Sequence, residues 1–455
     1  MSDDKNIDFV LRTVEKRDIR FVRLWFTDVL GNLKSFSISA EDLEEAFEEG
    51  IGFDGSSVDG FVPLEESDML AFPDPATFQI LPWKSADGTS ARIICDIRTP
   101  HREPFEGDPR SCLQRQFRKL DEKGYSANVG PRIEYFYFGA DSDPRFQSPT
   151  PLDYAGYFDL TSFDSSSDLR RVTTMMLERM SVPVEYTFHS SAPSQSAVEL
   201  RYAEAVTAAD NIMTARHVIR AVAYDHDMFA SFMPKPLSDT VGSGMFLYSS
   251  LFDREGTNVF WAAKTSDSAG AEAHLSDLAS HYVAGILKYA PEFTLITNPT
   301  VNSYKRIGPG GEAPAYATWG VKNRTALVRI PMHKPGKHQS TRIELRSPDP
   351  AANPYLAIAV MLGAGLRGIE EGLPLPEQMN AELLSLSPAE LKSRGVVALP
   401  RTLGEAVERF RGSEVMRDIL GDHIFDFLSD AKQSEWDEYS SVVSEWELQK
   451  YYAGI

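Results

Sequence analysis

Two short stretches of alternating apolar and polar positions stand near the start of the chain. Phe21-Val22-Arg23-Leu24-Trp25-Phe26-Thr27 has the period of two of a half-buried strand and runs into a turn at Asp28 to Asn32. Leu33 to Ser39 alternates again, which predicts a hairpin. Ser39-Ala40-Glu41-Asp42 then opens an acidic helix that Gly50 stops. Ala91 to Ile97 reads as a further strand, and the Pro/Gly-rich stretch from Pro100 to Pro109 as a connector whose last proline starts a helix, Arg110 to Lys123. Beyond it, strands at Pro131–Phe138, Val182–Thr187 and Ala197–Tyr202 are predicted among helices at Ser166–Met180, Ala203–His226, Gly270–Tyr289 and Asn353–Glu371. Pro388 to Tyr452 is mostly helical. The pattern contains no internal repeat, heptad run or low-complexity tract.

Composition narrows the function classes. The 455 residues suit two or three domains, and 42% hydrophobic content supports a real core. With 46 basic against 66 acidic side chains the net charge is −20, which argues against nucleic acid and anionic membranes as partners. Cys95 and Cys112 are the only cysteines, too few for a disulfide framework, which fits a reducing cytoplasm. The N-terminus lacks the apolar core of a signal peptide, and the longest greasy stretch, Tyr355 to Leu366, is too short to span a bilayer. A cytoplasmic location is expected.

A series of motifs then falls in order along nearly the whole chain. It begins at Gly50–Ser57 and runs through Tyr157–Asp159, Phe232–Pro236, Gly242–Met245 and Asn298–Arg306. It continues at Glu312–Pro314, Asn323–Arg324, Arg329–Pro331, Arg342–Pro350 and Asn353–Tyr355, and ends at Trp436, Tyr439 and Trp446. Together they resemble the type I, bacterial-like glutamine synthetases. The resemblance implies an α+β protein, with a β-grasp-like domain over residues 1–105 and a catalytic domain over 106–455 built on a curved antiparallel sheet with helices. It also implies a homo-oligomer, a double ring usually of twelve subunits, in which the Asp54 loop of one subunit completes the site of the next.

The family reaction, as the resemblance implies it, phosphorylates the γ-carboxylate of glutamate with ATP and lets ammonia displace the phosphate. Divalent metals held by several Glu and one His neutralise the phosphates. Four of those six ligand positions carry other residues here: Arg132, Ser190, Ala197 and Phe246. Glu134 and Glu344 remain. The glutamate-side positions are kept at Arg306, Glu312, Arg324 and Arg346, with Asp54 and Ser57 in the ammonium loop and Glu185 and Arg329 on the nucleotide side. The amino-acid-holding asparagine before Gly242 is replaced by Val241, while Phe188, Phe246, Tyr248 and Tyr135 add aromatic bulk.

These replacements lead to the expectation of a divergent enzyme without the family's divalent metals, with no cofactor, and with ATP dispensable. It would act on a small amine, carboxylate or aromatic molecule by acid/base or hydrolytic chemistry. Asp54, Glu134, His189 and Glu312 would be its catalytic groups. Ser57, Arg132, Ser190, Gln195, Gly242, Phe246, Tyr248, Arg306, Arg324 and Arg346 would bind the substrate. Arg132 is expected to pair with Glu134 and Glu344 and so replace the metals' charge. Core filling competes for Phe246 and Tyr248, structural salt bridging for the arginines, and a satisfied buried histidine for His189. Two alternatives stay open. One is an ATP-dependent γ-glutamyl amide ligase with an altered metal site, using ATP and Mg²⁺. The other is a non-catalytic protein that binds a metabolite or regulates active paralogues.

Overall fold

The computed structural model describes residues 3–61, 67–83, 89–139, 149–160, 166–263, 273–307, 312–321, 323–379, 386–452 and 454. The glycine turn at 308–311, met in the sequence beside Glu312, lies outside them.

The hairpin predicted from alternation forms as β1 (Ile19–Thr27) and β2 (Leu33–Ser39), in antiparallel register from Phe21 opposite Ser39 to Thr27 opposite Leu33. β3 (Ile51–Asp54), β4 (Asp68–Pro73), β5 (Gln79–Ile80) and β6 (Thr89–Arg98) complete a six-stranded sheet in the order β2-β1-β6-β4-β3, with β5 on β6. β1 and β6 run parallel, the other pairs antiparallel. The acidic helix after Ser39 forms as a 3₁₀ turn and a helix, Leu43–Glu49, ended by Gly50 at φ +74°.

The second sheet has nine strands: β7 (Tyr125–Gly139), β8 (Val184–His189), β9 (Gln195–Leu200), β10 (Ala203–Glu204), β11 (Met228–Ser231), β12 (Met245–Asp253), β13 (Trp319–Gly320), β14 (Val328–Arg329) and β15 (Ile343–Leu345). Their order is β13-β14-β15-β12-β7-β9-β8, with β10 and β11 also on β7, and all pairs are antiparallel except β13–β14. β7 is twice the predicted length. β12 was not predicted, because Met245–Asp253 is apolar almost throughout and such a run does not tell strand from helix. The N-terminal helix Asp3–Lys16 was not predicted either.

Helices cover the larger sheet. Ala205–Tyr224, Asp277–Thr297 and Pro354–Glu371 are buried over most of their length and hold one continuous core with the inner face of the strands. The last two cross very closely: a Cβ on Gly285 would lie 2.2 Å from the Ala364 carbonyl oxygen, and one on Gly368 2.2 Å from that of His281. The two sheets are tied by Arg110, the second residue of the helix that Pro109 begins. Its guanidinium meets Asp74 and Asp96 of the first unit and Asp210 of the second, and Asp210 also accepts from the Tyr355 hydroxyl at 2.7 Å. Among the described residues no helix is long and apolar enough to cross a membrane.

Candidate active site

The site is built on one face of the second sheet. Side chains alternate along a strand, so Arg132 and Glu134 of β7 share a face and Tyr135 takes the other. Tyr135 is fully buried among Tyr137 and Phe232, so it adds no bulk to the site and corrects that expectation. On the site face β12 sets Phe246 opposite Arg132, and β9 sets Glu199 opposite Arg132 and Ala197 opposite Glu134. β8 extends these rows with Tyr186 opposite Glu199 and Phe188 opposite Ala197.

Arg132, Glu134, Glu344 and Arg306 each have partners on the protein. Arg132 Nε and Nη2 both lie 2.7 Å from Glu199 Oε2, and Nη2 also donates to the Tyr186 hydroxyl at 3.2 Å. The Tyr186 hydroxyl donates in turn to Glu199 at 2.8 Å. The expected pairing of Arg132 with Glu134 and Glu344 therefore does not form. Glu199 stands directly across the strand pair, and it returns a carboxylate to the face two residues after the one missing at Ala197. Burial opposes the charge on Arg132, but Tyr248, Glu199 and Tyr186 outweigh it and hold the guanidinium above the ordinary arginine value. Its carbon lies 5.6 Å from the Phe188 ring centre, 5.9 Å from that of Phe246 and 5.7 Å from that of Tyr248.

Glu134 accepts from the Ser190 hydroxyl and from the Gly244 N–H, each at 2.8 Å. Burial nonetheless lifts its carboxyl above the usual range, the two donors opposing the rise. Glu344 accepts from Arg346 at 2.7 Å and from Arg329. Arg306 donates to the Ser347 and Arg346 carbonyls at 2.7 and 3.2 Å, and burial lowers its pKa. His189 Nδ1 is 2.8 Å from the Ser190 carbonyl and Nε2 is 3.1 Å from Asp153 Oδ1. This geometry gives His189 the structural task of fixing the Ser190 turn. Gln195 reaches the Gly242 carbonyl and the Ser243 hydroxyl through its amide nitrogen, at 3.2 and 3.1 Å, and so holds the loop before β12.

Glu134, Gly242, Phe246, Arg306, Glu312 and Arg346 come together around a cavity of about 430 Å³, with Lys235, Asp239, Val241 and Lys305 among its other walls. Gly242 must be small: a Cβ there would lie 2.3 Å from the Pro234 carbonyl oxygen. Other predicted site residues stay apart from this cavity. Ser190 and Gln195 are buried behind it. Tyr248 is buried between Arg132 and Arg342. Glu185 pairs with Arg201 at 3.5 Å, and Arg324 and Ser57 are exposed. Asp54 is exposed on the first sheet, and the Ser56 hydroxyl and N–H at 2.7 and 2.9 Å hold its carboxyl below the usual range. Glu199, Tyr186 and Asp153 were missed in the sequence. Only Glu199 left a signal, its two-residue spacing from Ala197.

Among the described residues no three His, Cys, Asp or Glu side chains are grouped to hold a metal ion. The two carboxylates kept from the implied ligand set are engaged by Ser190, Gly244, Arg329 and Arg346, so the residues present do not fit that set.

A β-grasp unit joined to a curved sheet that carries an arginine- and glutamate-lined cavity defines a class of two-unit α+β proteins. Residues 18–100 match the family described as the glutamine synthetase β-grasp domain, and residues 106–451 the glutamine synthetase catalytic domain. The chain belongs to the glutamine synthetase family. It is 48% identical over 453 residues to a glutamine synthetase of Mycolicibacterium smegmatis, covering 98% of this chain and 99% of the relative. It is 46% identical over 444 residues to one of Methanosarcina mazei, covering 97% and 96%. A solved structure described as a GmaS/ADP complex superposes with a TM-score of 0.85 at 28% identity, covering 97% of this chain and 99% of that one.

These findings overturn two expectations. The hydrolytic or ATP-free enzyme and the non-catalytic protein give way, because the likeness to glutamine synthetases runs the full length of the chain and reaches an ADP-bound neighbour. The expectation that no cofactor is needed falls for the same reason. Four replaced side chains do not outweigh a likeness that runs the length of the chain.

Proposed function

We propose that the protein is an ATP-dependent ligase that joins ammonia or a small amine to the side-chain carboxylate of glutamate or a close analogue. The full-length 48% identity to a glutamine synthetase carries this reading. The cavity supports it by keeping Arg306, Arg346 and Glu312 as walls. A carboxylate oxygen attacks the γ-phosphorus of ATP, the bond to ADP breaks and an acyl phosphate forms. The amine nitrogen then attacks the carbonyl carbon, phosphate leaves, and the amine gives up a proton. Arg306 and Arg346 stabilise the carboxylate and the negative charge that develops beside it. Glu312, with Asp54 from a neighbouring subunit, receives the amine proton. Arg324 closes the carboxylate side, and Arg329 and Glu185 face the nucleotide.

The reading includes a ring homo-oligomer and a cytoplasmic location. The C-terminal helix Glu445–Tyr451 leaves Trp446, Leu448 and Tyr451 exposed beside Val442, Val443 and Tyr452, an apolar surface that a subunit contact would cover. Two free, buried cysteines suit a reducing compartment. The chain divides into residues 1–105 and 106–455 in this reading.

The test is release of ADP and phosphate from MgATP in the presence of glutamate and a panel of ammonium, methylamine and longer amines. Turnover that needs nucleotide, carboxylate and amine together is expected. Absence of any amide product across the panel would overturn the proposal.

A further inference from the structure

Four strands place Tyr186, Glu199, Arg132 and Phe246 in one row across the site face, by cross-strand register and the two-residue period. One end of the row is the carboxylate, held by both Arg132 and Tyr186. The other end is Phe246, whose ring lies 5.9 Å from the Arg132 guanidinium carbon and 4.7 Å from that of Arg346, and which forms part of the cavity wall. The Arg132 side chain is 18% exposed and Glu199 13%. An arginine so paired and stacked stays protonated throughout the working pH range.

We propose that Arg132 is the fixed cation of the altered metal-ligand position. Its guanidinium supplies one positive charge that the family pattern draws from a protein-held divalent ion, and the divalent ion of the reaction is the one that arrives chelated to ATP. The proposal rests on the ligase reading. Three features of the row favour it. Arg132 occupies a ligand position with a charge that repels a second cation. Its own carboxylate partner is at hand, so the guanidinium is held without drawing Glu134 away from Ser190 and Gly244. Phe246 stands at the position of the histidine ligand, and its ring packs against both Arg132 and Arg346 while forming part of the cavity wall. Arg132 does not line the cavity itself, so it is a positioning residue that acts through Phe246.

The experiment titrates the full-length protein with Mn²⁺ and reads free Mn²⁺ by electron paramagnetic resonance, first without nucleotide and then with ATP. The wild-type protein is expected to take up no stoichiometric Mn²⁺ alone and one ion per subunit with ATP. The combined substitution Arg132→Glu, Ser190→Glu, Ala197→Glu and Phe246→His is expected to bind at least one Mn²⁺ per subunit without nucleotide. Should that variant fail to fold, Arg132→Glu alone serves, compared with Arg132→Lys, which keeps the charge and is expected to keep Mn²⁺ out. Stoichiometric Mn²⁺ uptake by the nucleotide-free wild-type protein would overturn the proposal, as would equal Mn²⁺ binding by Arg132→Glu and Arg132→Lys. Phosphate release measured in parallel separates the two readings: a protein that excludes free Mn²⁺ yet makes no amide fails only the ligase assignment.

Discussion

Arg132 and Glu199 face each other across β7 and β9, guanidinium to carboxylate at 2.7 Å, two rungs away from the place where Glu134 faces Ala197. Removing one partner leaves the other charged, mostly buried and unpaired. Glu199→Gln should cost about 2 kcal/mol of stability, less than for a fully buried pair because both side chains keep some exposure. Arg132→Met with Glu199→Leu should cost less than Glu199→Gln alone, since no charge is stranded. Urea midpoints of Arg132→Met, Glu199→Leu and the double variant close a mutant cycle, and Glu199→Gln measured beside them checks the comparison.

Gly242 closes the cavity against Pro234. Gly242→Ala should displace the loop that Gln195 holds and lower kcat/KM by about tenfold or more, because a small misplacement of a binding loop is costly to the reaction. Nucleotide affinity measured by ADP binding should change little, and a parallel fall in both would show that the loop serves the whole site.

Arg346 bonds Glu344 and lines the cavity beside Arg306. Arg346→Met should raise KM for the carboxylate substrate by about tenfold to a hundredfold, the loss of one charge-assisted hydrogen bond. If the Asp54 loop serves a neighbouring subunit, refolding Arg346→Met chains together with Asp54→Asn chains should give activity above that of either variant alone at limiting carboxylate substrate. Steady-state kinetics on the mixed assemblies reads this directly, and no restoration would place Asp54 in its own subunit's site.

His217, on the helix Ala205–Tyr224, packs edge-on against Trp25 and Trp83 at the join between the two sheets. Burial, with the charges of Arg23 and Arg220, pushes its pKa down from 6.5 to about 4. A base with a depressed folded pKa lends stability that is complete above its unfolded value and is lost as pH falls. Stability should therefore drop between pH 6.5 and about 4, by up to about 3 kcal/mol. His217→Gln should flatten that part of the Tm-against-pH curve. An unchanged slope would mean that other groups carry the acid sensitivity.

Local chemistry in the chain was enough for several features. Alternation gave the β1–β2 hairpin, proline placed the start of the helix at Pro109, and the two-residue period put Arg132 and Glu134 on one face. The ordered motifs identified the family and brought Glu134, Arg306, Glu312 and Arg346 forward as cavity residues. Each of these depends on residues near one another in sequence, or on identities that stay fixed whatever the chain folds against. The partners were a different matter. Arg132 meets Glu199, 67 residues away, because the register of β7 on β9 brings them opposite. Asp153 takes His189 from 36 residues away, and two arginines take Glu344. A charged side chain does not reveal in sequence which opposite charge will neutralise it, since that depends on strand register and burial. Only the tertiary structure decided what the altered ligand positions meet: Arg132 pairs with Glu199, Ser190 donates to Glu134, and Phe246 lines the cavity.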